Sequence, residues 1–454
     1  MHLTDLNRHS GIGSNCFLAE IGPFRVIMDC GFHPKKVGRE VTPDLDKLPD
    51  NSVDIVVLTH CHLDHLGAIP LLLRRNPNAI LVCSQPTFAL APVLLKNSVK
   101  VMTRQRQEKG IRDLPLYTAG EVDRCGKQFH PMAFGRPRIF EKCGDEIEIT
   151  LFPAGHVAGA AGVLIRHHHR KIFFTGDVHF TPQQTVGAAK FPEGPFDTVV
   201  METTRGANPP VPGRTRESEI ERFLDICDRT VAHGGSILIP VFALGRCQEV
   251  LSILADARKR RRVRECPVLV AGLGMTLCDL FDDIGRRTGL VRFSRNVLKQ
   301  LSCKRPRMGE EFSADRPPRI PSILVLSSGM LVERTPSYDA ACSLLGGARN
   351  TICFVGYCDP DTPGGKLLAT PAGQPFCFEA NDRIVRVQAR VERIDLTGHA
   401  DRDSLLDFAV KSQARAVVLT HGEDDARKWF AGEIAQAMPK TKVHDPVSGL
   451  RTLV

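Results

Sequence analysis

A chain of 454 residues is too long for one compact core, so two domains, or one domain with a large insert, are expected. With 42% hydrophobic and 24% charged residues and no low-complexity tract, the composition is that of a folded globular protein. One Trp and three Tyr offer few faces for stacking bases, which argues against a general single-strand coating protein. The formal charge of +9 is only a mild tilt toward anionic partners. No stretch approaches ~20 uninterrupted apolar residues, so no membrane partner is expected, and residues 1–12 are too polar for a signal peptide. The fifteen cysteines lack zinc-ribbon spacing and read as reduced, small core residues of a cytoplasmic protein.

In chain order, residues 17–19, 24–28 and 55–58 read as short apolar strands. A helix is predicted over 66–74, a strand over 80–83 and a helix over 87–102. Strands follow at 146–152, 171–174 and 198–201. This mixture indicates an α/β or α+β layered domain. Ala207–Asn208–Pro209–Pro210–Val211–Pro212–Gly213 is a linker by composition. Beyond it, helices at 218–231 and 245–262 alternate with buried strands at 236–241, 268–271, 323–326 and 351–356, the rhythm of a doubly wound parallel sheet. Val56–Val57–Leu58–Thr59–His60 recurs letter for letter as Val417–Val418–Leu419–Thr420–His421. The recurrence suggests two related half-sheets of one domain, each delivering a histidine at a strand end.

The chemistry centres on His60–Cys61–His62–Leu63–Asp64–His65. This loop carries four ligand-type side chains between a strand and a helix. His60 and His62 can meet one metal, and Asp64 and His65 a second; imidazole with carboxylate suits Zn²⁺. Ordering such a cluster in a core without metal would be costly. One loop supplies too few ligands for two metals. His156 after Phe152–Pro153–Ala154–Gly155, Asp177 after Phe174–Thr175–Gly176, and His421 have the right form to complete them. Gly155 and Gly176 are expected to let the backbone approach a metal closely.

On these motifs the sequence resembles the metallo-β-lactamase superfamily and, within it, the β-CASP ribonucleases, including the RNA-processing endonuclease of the cleavage and polyadenylation specificity factor type. The pattern runs in order through Asp29, the His60–His65 loop, His156, Asp177, Glu202, His399 and His421. The stretches Leu238–Ile239–Pro240–Val241–Phe242–Ala243–Leu244–Gly245–Arg246 and Ser327–Ser328–Gly329–Met330 resemble the β-CASP insert. The resemblance implies an αββα sandwich formed by 1–206 and 391–454, with a β-CASP domain at 207–390 inserted. It implies two Zn²⁺, one held by His60, His62 and His156 and the other by Asp64, His65 and His421, with Asp177 bridging them. Asp29 would orient a ligand or the water. His399 would be the general acid, kept protonated by Glu202. Ser327, Ser328 and Gly329 would meet a substrate phosphate.

RNA-processing members carry His at the position of His421 where DNA-repair members typically carry Val, so the resemblance favours RNA. The expected function is zinc-dependent hydrolysis of single-stranded RNA, endonucleolytic with 5′-to-3′ exonuclease action as a further expectation. A second copy of the chain and RNA-processing proteins are candidate partners. Two alternatives stay open: a small-molecule metallo-hydrolase of the same fold, and an inactive scaffold of an RNA-processing complex. The sequence departs from the family at Thr397–Gly398–His399, where Ser-Ala-His is commoner, and at Gly356–Tyr357–Cys358–Asp359, where a Glu-Gly-Thr segment is usual. The basic run 258–264 reads as a solvated helix end, and His167–His168–His169 as a hairpin turn.

Overall fold

The computed structural model describes residues 1–306 and 312–454, and these form two compact units. The first comprises Met1–Pro182, Val186–Pro210 and His399–Val454, the second Gln183–Thr185 and Val211–Gly398.

Among the described residues, the first unit holds two seven-stranded sheets. One is ordered Arg451–Leu453, His2–Asp5, Phe17–Ile21, Phe24–Met28, Ile55–Leu58, Ile80–Ser84, Phe129–Met132. The other is ordered Lys442–His444, Ala416–Thr420, Thr198–Glu202, Arg170–Phe174, Ala161–His167, Asp145–Pro153, Arg138–Lys142. The alternation of a pleated strand divides their apolar residues between two faces. Phe17, Ala19, Val26, Met28 and Val57 of the first sheet pack against Ile147, Ile149, Leu151, Val163 and Val418 of the second. Their neighbours Leu164, Phe173, Val199, Val417 and Leu419 turn the other way, onto Leu405, Phe430 and Ile434 of helices Arg402–Lys411 and Asp424–Ala437. Helix Gln85–Lys109 lies against the first sheet. The unit is an αββα sandwich to which both chain ends contribute. Each sheet holds one copy of the repeated Val-Val-Leu-Thr-His, and in both copies the second valine, Val57 or Val418, faces the core between the sheets.

In the second unit six strands pair entirely in parallel, ordered Cys303–Lys304, Val268–Ala271, Ile323–Leu326, Ile237–Pro240, Thr351–Phe354, Arg390–Arg393. The four inner strands are each a run of four consecutive buried residues, which follows from cover on both faces, while the two edge strands stay partly exposed. Leu238, Leu324, Ile352 and Phe354 pack with Tyr338, Leu344 and Leu367 of helices Pro336–Leu344 and Pro363–Ala369. The alternate residues face helices Arg216–Ala232, Arg246–Lys259 and Leu273–Thr288. This is the doubly wound sheet expected from the sequence.

Among the predicted helices, the one over 245–262 ends earlier, at Lys259, and two others differ more. The helix predicted over 66–74 is two short helices, Leu63–Leu66 and Ile69–Arg75. At Gly67 between them a Cβ would sit 2.5 Å from the Phe32 ring, and Pro70 opens the second helix. The helix predicted over 87–102 runs further, as Gln85–Lys109, from a Ser84 cap to the left-handed Gly110.

Candidate metal centre

Parallel strands present their C-terminal ends on one edge, where loops can converge. Asp29 follows Phe24–Met28, His60 follows Ile55–Leu58, Asp177 follows Arg170–Phe174, Glu202 ends Thr198–Glu202 and His421 follows Ala416–Thr420. His156 follows Asp145–Pro153, and His399 stands just before helix Arg402–Lys411. All are in the first unit.

The structure brings these side chains into two adjoining groups. His60 Nε2 and His156 Nε2 lie 3.1 and 3.0 Å from His62 Nδ1. Opposite them, His421 Nε2 is 3.3 Å from Asp64 Oδ2, and His65 Nε2 is 3.9 Å from the same oxygen. Asp177 stands between: its Oδ2 is 3.6 Å from both His60 Nε2 and His156 Nε2 and 3.4 Å from His65 Nε2. These separations resemble the edges of a tetrahedron of ligands around zinc, roughly 3.3 Å for bonds near 2.0–2.1 Å. Two buried atoms aimed into the cluster, His65 Nε2 and Asp177 Oδ1, make no hydrogen bond. Buried polar atoms are rarely left so without another partner, and the donor set fits metal ions.

Hydrogen bonds behind the cluster fix its rings. Asp29 accepts the Thr59 N–H at Oδ1 (2.7 Å) and the Thr59 hydroxyl at Oδ2 (2.8 Å), and its Oδ2 stands 2.7 Å from His65 Nδ1. That holds His65 with Nε2 toward Asp177. Glu202 Oε1 accepts the Val178 N–H at 2.6 Å, and Glu202 Oε2 lies 2.9 Å from His399 Nδ1. His399 Nε2 then faces the cluster, 3.9 Å from Asp177 Oδ2.

Charge and burial set the protonation of these groups. Burial depresses the pKa of His60 well below its usual value and also lowers His62, leaving neutral rings suited to metal binding. Burial would raise the Asp64 carboxyl, but the His421 hydrogen bond and the charges of His65 and His421 hold it at about 2. Asp177 is likewise held well down, against burial, by His421, His65 and His399. Burial opposes the charged form of His399, yet the Glu202 carboxylate outweighs it and raises the pKa.

Several contributors were invisible in the sequence reading. Asn15 donates its N–H to Asp64 O at 2.8 Å, and its Nδ2 lies 3.2 Å from His65 Nδ1. The Thr204 hydroxyl donates to His421 O at 3.0 Å. Nothing local marks either residue. A Cβ on Gly31 would lie 1.6 Å from Asp64 O, so only glycine lets the Asp29 turn pass the histidine loop. The expected reason for Gly155 and Gly176 is corrected. A Cβ on Gly155 would meet the backbone of His179 at 2.3 Å, and one on Gly176 would meet Ala161 O at 2.9 Å. Both are left-handed, and what they admit is neighbouring backbone. Ser327, Ser328 and Gly329 belong to the second unit, after Ile323–Leu326. There Ser328 Oγ accepts the Val332 N–H at 2.8 Å and Ser328 O accepts the Ser337 hydroxyl at 2.7 Å.

Comparison with known proteins gives the family. Residues 10–223 match the metallo-beta-lactamase superfamily, 247–367 the Beta-Casp domain, and 384–446 the Zn-dependent metallo-hydrolase RNA specificity domain. Integrator complex subunit 11 of Danio rerio is 27% identical over 96% of this chain and 71% of its own length. Transcription termination factor FttA of Pyrococcus abyssi is 28% identical over 93% of this chain and 67% of its own. Cleavage and polyadenylation specificity factor subunit 3-II of Arabidopsis thaliana is 28% identical over 91% of this chain and 66% of its own. A protein of unknown function from Enterococcus faecalis V583 shares the fold, with a TM-score of 0.54 at 13% identity over 100% of this chain and 99% of that one. The chain belongs to the metallo-β-lactamase superfamily and, within it, to the β-CASP ribonuclease family.

Proposed function

We propose that this chain is a zinc-dependent ribonuclease that hydrolyses phosphodiester bonds of single-stranded RNA at a two-metal centre, as an endonuclease and also from 5′ to 3′. The observation that carries the reading is the position of Asp177, between two histidine groups and beside a histidine–carboxylate pair. One zinc is assigned to His60, His62 and His156 and the other to Asp64, His65 and His421, with Asp177 shared. When bound, such a pair lowers the pKa of a water and neutralises phosphate oxygens. Asp29 acts through His65, whose ring it orients. His399 gives the proton on Nε2 to the leaving oxygen, and Glu202 holds the ring through Nδ1 and keeps it protonated. Ser327, Ser328 and Gly329 remain assigned to RNA phosphates. All fifteen cysteines are free, as suits a reducing, cytoplasmic setting, and the relatives named for the Integrator complex and for a cleavage and polyadenylation factor support RNA-processing partners. No described helix is long and apolar enough to cross a membrane.

The test uses one sequence as 5′-labelled single-stranded RNA and as DNA, with and without a zinc chelator, beside the double variant His156→Ala/Asp177→Ala. Internal cuts in RNA, abolished by chelator and by the variant, are expected. Equal cutting of DNA would overturn the RNA preference. Intact RNA and DNA after incubation with zinc-loaded protein would overturn the nuclease reading in favour of a small substrate.

A further inference from the structure

A second group of ligand-type side chains gathers at the other end of the second sheet. Asp145 opens the strand Asp145–Pro153, whose far end leads to His156. His167 closes the antiparallel strand Ala161–His167. The eight residue steps of the strand Asp145–Pro153, at ~3.3 Å each, put its two ends roughly 26 Å apart. Asp145 Oδ2 lies 2.8 Å from His167 Nε2, and Asp145 Oδ1 lies 3.4 Å from His168 Nε2. The two rings stand 4.1 Å apart between centroids, tilted by 52°.

Two backbone features bring the group together. Consecutive side chains of a strand point to opposite faces, so His167 and His168 should diverge. They converge because His168, in the hairpin turn before Arg170–Phe174, holds a left-handed φ of 49°, a conformation that glycine or asparagine adopts more readily. Across from them a Cβ on Gly22 would fall 2.7 Å from Asp145 Oδ2 and 2.8 Å from His167 Nε2. Any other residue there would cover both donor atoms. The His168 side chain is 66% exposed and that of Asp145 20%, so an ion can reach the group from solvent.

We propose that Asp145, His167 and His168 form a separate site for a zinc-class divalent cation, with a remaining coordination position open to water. The ligand atoms all lie within 4.8 Å of one another, and two imidazoles with a carboxylate suit Zn²⁺. Binding needs the lone pair of His167 Nε2, so the proton shared there with Asp145 moves to Nδ1. The ion clasps the hairpin Ala161–His167/Arg170–Phe174 to the start of Asp145–Pro153, which makes its role structural.

The test is zinc content per chain after dialysis of the metal-loaded protein against micromolar free zinc, for wild type, His168→Asn and Asp145→Asn. Asparagine tolerates the left-handed turn, and the exposed His168 side chain contributes little to the core, so His168→Asn keeps the fold. Zinc at the His60–His65 loop is common to all three proteins. One equivalent fewer in each variant than in wild type is expected. Equal content in all three overturns the proposal and leaves Asp145 and His167 as a hydrogen-bonded clasp.

Discussion

At the scale of single residues, two histidines of the proposed centre are each held by a carboxylate. Asp29 touches His65 Nδ1 and the Thr59 backbone and hydroxyl. Asp29→Asn is therefore expected to weaken metal binding by about 10–100-fold, measured by competition with a chelating dye. Glu202 acts on His399 in the same way but with a different consequence. As the proposed general acid His399 works protonated, so the rate is expected to fall as pH rises through its pKa. Glu202 holds that pKa above its usual value, and Glu202→Gln should move the alkaline limb of the kcat profile to lower pH. His399→Ala should lower kcat by about 10²–10⁴-fold with zinc content unchanged. A fall in zinc content instead would make His399 a ligand.

At the scale of elements, the sequence was most readable where a strand is buried on both faces. Ile55–Leu58, Val268–Ala271 and Ile323–Leu326 lie where their uninterrupted apolar runs put them. Edge strands such as Arg138–Lys142, Lys442–His444 and Arg451–Leu453 were not anticipated. They are polar and pair on one side only, so their structure comes from the neighbouring strand. The basic run 258–264 is absorbed locally: Arg262 pairs with Glu221 and Asp225, and Arg264 with Asp228, all on helix Arg216–Ala232. Replacing Arg262 and Arg264 by Gln should leave the KM for RNA unchanged. Glycine contexts separate two kinds of turn. Gly213 is left-handed in open space, and Gly213→Ala should cost about 1 kcal/mol of backbone strain. Gly155→Ala meets backbone atoms at 2.3 and 2.6 Å, adds about 1–3 kcal/mol of overpacking and displaces His156. Denaturant titration with zinc analysis should show metal loss only in Gly155→Ala.

At the scale of the whole molecule, the two units have separate cores, and the metal centre belongs to one of them. The ligands proposed for it come from residues 60–177 and from His421, so a bound metal would tie the last segment of the chain to the first. A ligand present at a hundredfold over its Kd stabilises by about 2.7 kcal/mol per site. Chelation should therefore lower the melting temperature of the sandwich unit while leaving the transition of the parallel-sheet unit in place, followed by amide exchange on Val57 and Val418 against Leu238 and Leu324. A parallel loss of protection in both units would contradict this division.

The sequence by itself determined the alternating elements and the dense His60–His65 loop. It also marked the isolated strand-end residues His156, Asp177 and His421, because apolar periodicity and ligand chemistry are local properties of the chain. Resemblance to a known family added the ligand sets and the roles of Asp29, Glu202 and His399. Only the tertiary structure decided that His60 and His421, 361 positions apart in the sequence, both approach Asp177. It alone identified Asn15 and Gly31 as the parts that hold the His60–His65 loop and Thr204 as the one that holds His421, and it alone turned His167 and His168 toward one carboxylate. Those outcomes depend on which strands become neighbours and how closely their backbones pass, and no short window of sequence encodes that.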